Sequence, residues 1–139
     1  MLIHYHNMDE CEFPHIHDWI FSGFQYLYGV KQNIKKIVIE LISEDRSQLM
    51  RCELNGVILQ EFQGCSFWGG GNAVYYANCY KNHPFLERMQ AAQKNAKDNS
   101  GHICEIDTRI AYIVFELTVN CGDELAVICE SVEYEITDL

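Results

Sequence analysis

The stretch "QLMRCELNGVILQEF", residues 48–62, decides how the fold is read. Two β-favouring runs, 48–54 and 57–62, flank Asn55–Gly56. An Asn-Gly pair between such runs is a strong hairpin signal, because both central positions of a type I′ turn need positive φ. Residues 48–54 and 57–62 are therefore predicted to pair, and a two-residue turn permits only an antiparallel arrangement.

The same logic extends upstream. In "KKIVIELIS" (35–43), Ile37, Ile39 and Leu41 share one face, and Lys36, Val38, Glu40 and Ile42 the other. "SEDRS" (43–47) is polar and turn-like, which predicts a further hairpin. "DWIFSGFQYLYG" (18–29) is aromatic and β-favouring and stops at Gly29.

Downstream, "GGGNAVYYANCY" (69–80) reads as a loop entering a strand, with Tyr75 and Tyr76 on opposite faces. "RIAYIVFELTV" (109–119) and "ELAVICESVEYEI" (124–136) read as two long strands joined by "NCGD" (120–123). In the second, Ala126, Ile128, Val132, Tyr134 and Ile136 alternate with Val127, Cys129, Ser131, Glu133 and Glu135, the pattern of a strand with one wet face.

One segment departs from this pattern. "NHPFLERMQAAQKNAKDNSG" (82–101) predicts a helix near 83–98, with Asn82 as cap, Pro84 in the first turn and Gly101 at the exit. Leu86, Met89, Ala92 and Ala96, flanked by Phe85, give it one face to pack on a sheet. The expected class is mainly β (α+β): an antiparallel curled sheet, sandwich or partly open barrel of about seven strands with one helix.

A chain of 139 residues, 48% apolar, is expected to form a single domain, residues 1–139. It has no apolar run long enough to span a bilayer, and its first residues, "MLIHYHNMDECE", lack the pattern of a secretory leader. The seven cysteines are odd in number and include no C-x-x-C pair. Reduced thiols in a cytoplasmic setting are expected, with Cys52, Cys79 and Cys129 acting as small hydrophobes.

The formal net charge of −10 is uneven. Residues 102–139 hold nine acids and one base, Arg109. An acidic surface repels phosphate backbones, so nucleic acid is not an expected ligand. A basic protein partner is, with Asp123, Glu124, Glu133 and Glu135 as the acids that meet it.

Two H-x-H pairs invite a metal reading, His4 with His6 and His15 with His17. On an extended backbone each pair projects to one side. Tetrahedral sites need convergent donors, and the sequence guarantees only pairs. The competing reading of "HIHDW" is that His17 and Asp18 fasten the chain where it enters the sheet. A second alternative is an aromatic pocket of Phe67, Trp68, Tyr75 and Tyr76 beside three glycines (69–71). Those glycines open a strand, with no lysine before Lys81, so they do not make a phosphate loop.

A cysteine nucleophile needs a base within reach. Cys79 has Lys81 and His83 nearby, and Cys104 has His102, but sequence neighbours on a strand do not meet as catalytic partners. No catalytic residue and no cofactor are expected.

The order "HDW", aromatic strand, "IVIEL" and "LMRCELNGV" resembles small bacterial β-rich domains in which a His-Asp pair opens a strand. Several such families resemble immunity proteins of bacterial polymorphic toxin systems. The resemblance covers residues 15–62, places Trp19 where a small residue is usual, and does not reach the chain after Cys65. It implies no catalytic residues. The resulting expectation is a non-enzymatic cytoplasmic binding protein, of immunity-inhibitor type. The alternative is a β-barrel binding a metal or small ligand, with or without catalysis.

Overall fold

The computed structural model describes residues 2–5, 13–14, 16–29, 34–64, 72–98, 106–107, 109–120 and 122–139, with the backbone alone for 2–5, 97 and 98. The alternation in residues 35–43 builds the first sheet. Strand β1 is Leu2–Tyr5, β2 is Ile20–Gly29, β3 is Ile34–Ile42 and β4 is Gln48–Asn55. β3 turns Ile37, Ile39 and Leu41 fully inward and pairs antiparallel with β2 and β4.

The 43–47 turn makes the expected hairpin. Asp45 Oδ1 accepts hydrogen bonds from the Ser47 hydroxyl at 2.6 Å, the Ser47 N–H at 3.0 Å and the Ser43 hydroxyl at 2.8 Å. These bonds, led by the Ser47 hydroxyl, lower the Asp45 pKa to about 2.

The second sheet holds β5 (Leu59–Gln63), β6 (Val74–Tyr80), β7 (Ile113–Val119) and β8 (Glu124–Cys129). β9 (Ser131–Asp138) returns to the first. Sheet A therefore runs β1-β9-β4-β3-β2 and sheet B runs β5-β8-β7-β6, all pairs antiparallel. Met50, Cys52, Leu54 and Val132 from sheet A meet Phe115, Leu117, Leu125 and Val127 from sheet B in one dry core. Burial pushes the thiols of Cys52 and Cys129 far above the ordinary cysteine range, so they are inert packing groups.

β7, sequence IVFELTV, is buried on both faces because a helix lies over sheet B. That helix, α1 (Pro84–Asp98), packs Phe85, Leu86 and Met89 against Val114, Ile128 and Leu59. Arg88 lies over the Phe85 ring and reaches Glu61 of β5 at 2.7 Å. The helix falls where the periodicity placed it. Its cap does not: His83, rather than Asn82, accepts the Phe85 N–H through Nδ1 at 3.0 Å.

Two strand expectations need correction. Residues 48–54 and 57–62 do not pair as a hairpin. β4 lies in sheet A and β5 in sheet B, and Gly56 (φ 63) is the corner between them. Residues 124–136 likewise break into β8 and β9 at Glu130. The two bent strands run side by side, β4 with β9 and β5 with β8, as one ribbon shared by both sheets. Between the pairs Asn55↔Ser131 and Leu59↔Ile128, three residues on one strand face two on the other, a bulge at the bend.

The alternation from 124 to 136 survives in direction. Ala126 and Ile128 point toward α1, and Val132, Tyr134 and Ile136 point into the core. Changing sheets changes which side is the core. This split, together with β1, raises the strands from the expected seven to nine among the described residues.

At the far side a short bridge, Ile20↔Ala73, ties the start of β2 to the start of β6. The result is a curled two-sheet β structure, with no closed barrel among the described residues. Among the described residues no helix is long and apolar enough to cross a membrane.

Candidate functional site

Within "HIHDW", residues 16–19 form a turn rather than an extended strand start. Asp18 takes φ 66, and its N–H donates to the Val74 carbonyl at 2.8 Å. Trp19 N–H returns to the Ile16 carbonyl at 3.1 Å. His17 Nδ1 donates to the Tyr75 carbonyl at 2.9 Å, while Nε2 lies 3.5 Å from Asp18 Oδ2. His17 thus spends one nitrogen fastening the turn to β6.

His6 and His15 lie outside the described residues, and His4 is placed by backbone alone, opposite Glu133. Among the described residues no three His, Cys, Asp or Glu side chains converge at metal-ligand spacing.

Of the aromatic pocket, Phe67 and Trp68 lie outside the described residues. Tyr75 and Tyr76 are not on opposite faces. A register shift between Val74 and Tyr76 makes Tyr75 a bulge residue, and the two rings meet edge to face at 5.8 Å. Tyr75 is exposed and also touches the His17 ring.

Tyr76 turns instead into a polar network that the sequence reading missed. Its hydroxyl donates to Glu116 Oε1 at 2.5 Å, and His83 Nε2 lies 2.5 Å from Glu116 Oε2. Burial, reinforced by the Glu116 hydrogen bond, pushes the Tyr76 hydroxyl up to about 12. Burial also raises Tyr80, whose ring meets His83 at a tilt, centroids 5.5 Å apart. Thr118, beside Tyr76 in register, has a buried hydroxyl with no hydrogen bond of ordinary geometry among the described residues, although it is close enough to oppose the rise at Tyr76. A lone acid inside the apolar run IVFELTV is the signal that could have found this network.

The network does not assemble a nucleophile. Cys79 faces the inter-sheet core, while His83 sits on the opposite face of sheet B. Both His83 nitrogens are committed, one to the helix cap and one to Glu116. Cys104 and His102 lie outside the described residues.

The acids proposed for a partner separate into two places. Glu133 and Glu135 stand on the outer face of sheet A, opposite Glu53 and Arg51. Glu124 lies on sheet B beside Thr118, and Asp123 is buried in the β7–β8 turn. The expected extension of one acidic field from the turn to the strand is therefore not formed.

What the outer face of sheet A does hold is a band across three strands: Glu40 on β3, Arg51 and Glu53 on β4, and Glu133 and Glu135 on β9. Arg51 reaches Glu40 at 3.2 Å and Glu53 at 3.6 Å, and Lys36 reaches Glu53 at 3.2 Å. Glu135 has no cation partner among the described residues. Beside the band, Gly23, Val38 and Glu40 line a groove of about 280 Å³, opened by the β2 bulge at Ser22. No family model, curated protein or solved structure matches this chain.

Proposed function

We propose that the protein is a non-enzymatic cytoplasmic binding protein, an immunity-type inhibitor that meets a basic protein with the outer face of sheet A. The observation that carries this is the charge balance of that face among the described side chains: four carboxylates, Glu40, Glu53, Glu133 and Glu135, and two cations, Lys36 and Arg51. Glu53 and Glu133 stand directly across from one another, and Lys36 and Arg51 both reach Glu53. The groove over Val38 suits the aliphatic stem of a lysine or arginine whose head meets Glu40.

The expectation from the sequence included Asp123 and Glu124; with Glu124 on sheet B and Asp123 buried in the β7–β8 turn, the proposed interface is confined to the sheet A acids. The test is affinity capture from the native organism followed by Glu133→Lys with Glu135→Lys. Captured protein should be lost from that variant, and its binding to the parent should weaken with salt. Equal binding to both, or a co-purifying small molecule in place of a protein, removes this reading.

A further inference from the structure

One imidazole holds two structures together. His83 Nδ1 accepts the Phe85 N–H at 3.0 Å, so Nδ1 carries no hydrogen. The ring proton therefore sits on Nε2, which donates to Glu116 Oε2 at 2.5 Å. His83 is thus the neutral Nε2–H tautomer, capping α1 with one nitrogen and tying its start to β7 with the other. The His83 carbonyl accepts the Glu87 N–H at 3.1 Å, completing the first turn.

We propose that His83 is a proton-operated latch: its neutral ring caps α1 and clasps Glu116, and its protonated ring keeps Glu116 but releases the cap. A protonated imidazole has a hydrogen on both nitrogens. Nδ1–H then faces the Phe85 N–H, donor against donor, and positive charge sits at the positive end of the helix. Glu116 keeps its contact in either state, because Nε2 carries a hydrogen in both the neutral and the protonated ring. The first turn of α1 is therefore what gives way, while the contact to β7 holds.

The other groups around the ring do not compete for this role. Tyr76 and Tyr80 of β6 remain neutral, since burial raises both. Arg88 of α1 is held by Glu61 of β5 and the Phe85 ring. Glu87, in the first turn of α1, favours the helix start in either state. Lys81 is exposed just before α1. Release exposes Phe85 and Leu86, which otherwise cover Val114 and Ile128.

The test is a titration of the full chain from about pH 8 to about pH 5, the span in which imidazoles change charge. Long-range proton–nitrogen NMR of the ring reads tautomer and protonation, and amide exchange reads the helix. The expected result is an Nε2–H tautomer at the upper end. As His83 protonates, protection of the Phe85 and Glu87 amides should fall by about five- to tenfold, the usual size of a lost cap. The β7 amides should hold. An Nδ1–H tautomer, or a ring that titrates while those two amides do not respond, overturns the proposal.

His83→Asn supplies a cap that does not titrate, so the helix should form and the pH response should vanish. A response that persists in that variant also overturns the latch. Should His83→Asn fail to fold, Glu116→Gln decides: the clasp to β7 changes while the ring still caps α1, so the Phe85 amide should still respond to pH, and loss of that response would make Glu116 the switch and refute the latch.

Discussion

The two sheets present outer faces made from the same kind of strand but used in opposite ways. On sheet B, Val114, Ile128 and Leu59 are covered by Phe85, Leu86 and Met89 of α1. On sheet A the central positions are Glu40, Arg51, Glu53, Glu133 and Glu135, with no helix across them among the described residues. The difference lies in which residues fall opposite the core: apolar ones demand a third layer, while charged ones leave the face to solvent or to a partner. Stability is concentrated on one side of the molecule and recognition is proposed for the other.

The largest test of that contrast pairs Ile128→Ala with Arg51→Ala. Ile128 is fully buried beneath α1, and its truncation should cost about 2–5 kcal/mol in urea unfolding. Arg51 is exposed on the open face and its truncation should cost within about 0.5 kcal/mol. Equal losses would break the comparison.

Next comes the ribbon that joins the faces. Gly56→Ala should cost about 1–2 kcal/mol for left-handed backbone, and more if Glu130 cannot move from the added carbon's place. Gly122→Ala, at φ 91 with open space around it, carries backbone strain alone. Thermal unfolding of both variants separates crowding from strain, and a smaller loss at Gly56 would mean that the corner relaxes.

Glu133→Lys with Glu135→Lys should change stability within about 0.5 kcal/mol while abolishing capture of the proposed partner. A large loss of stability would show that these acids serve the sheet itself.

The smallest effect is electrostatic and local. Asp45 is more acidic in the folded turn than its ordinary value of 3.8. Its contribution is therefore present above that value and lost as pH falls through about 2. Exchange of the Ser47 amide should rise over that window, and Asp45→Asn should flatten the response.

Much of this architecture was legible. Ile37, Ile39 and Leu41 announced their face by alternation, and Leu86 and Met89 announced the helix by spacing. Asn55–Gly56 was read as a hairpin with positive φ at both positions; only Gly56 takes it, and the pair makes no hairpin. A left-handed glycine serves a corner as well as a turn, and only the bend of the neighbouring strand at Glu130 separates the two uses. The 124–136 pattern concealed its break because alternation in space continues through it. Of the candidate sites, Glu133 and Glu135 were placed on a common face. Asp123 and Glu124 were not joined to them, since sequence proximity across a sheet change carries no spatial meaning. The Glu116 network depends on residues 76, 83 and 116 meeting across three elements, which no local pattern encodes.

The position of β9 between β1 and β4 has a consequence for synthesis. Sheet A cannot take its final order until residues 131–138 have been made, because β4 has no other partner on that side. The emerging chain therefore carries β4 with one row of backbone donors and acceptors open until β9 is made. A ribosome that stalls before residue 131 would release a chain with an adhesive edge, so shielding by a chaperone should matter most between the synthesis of β4 and that of β9.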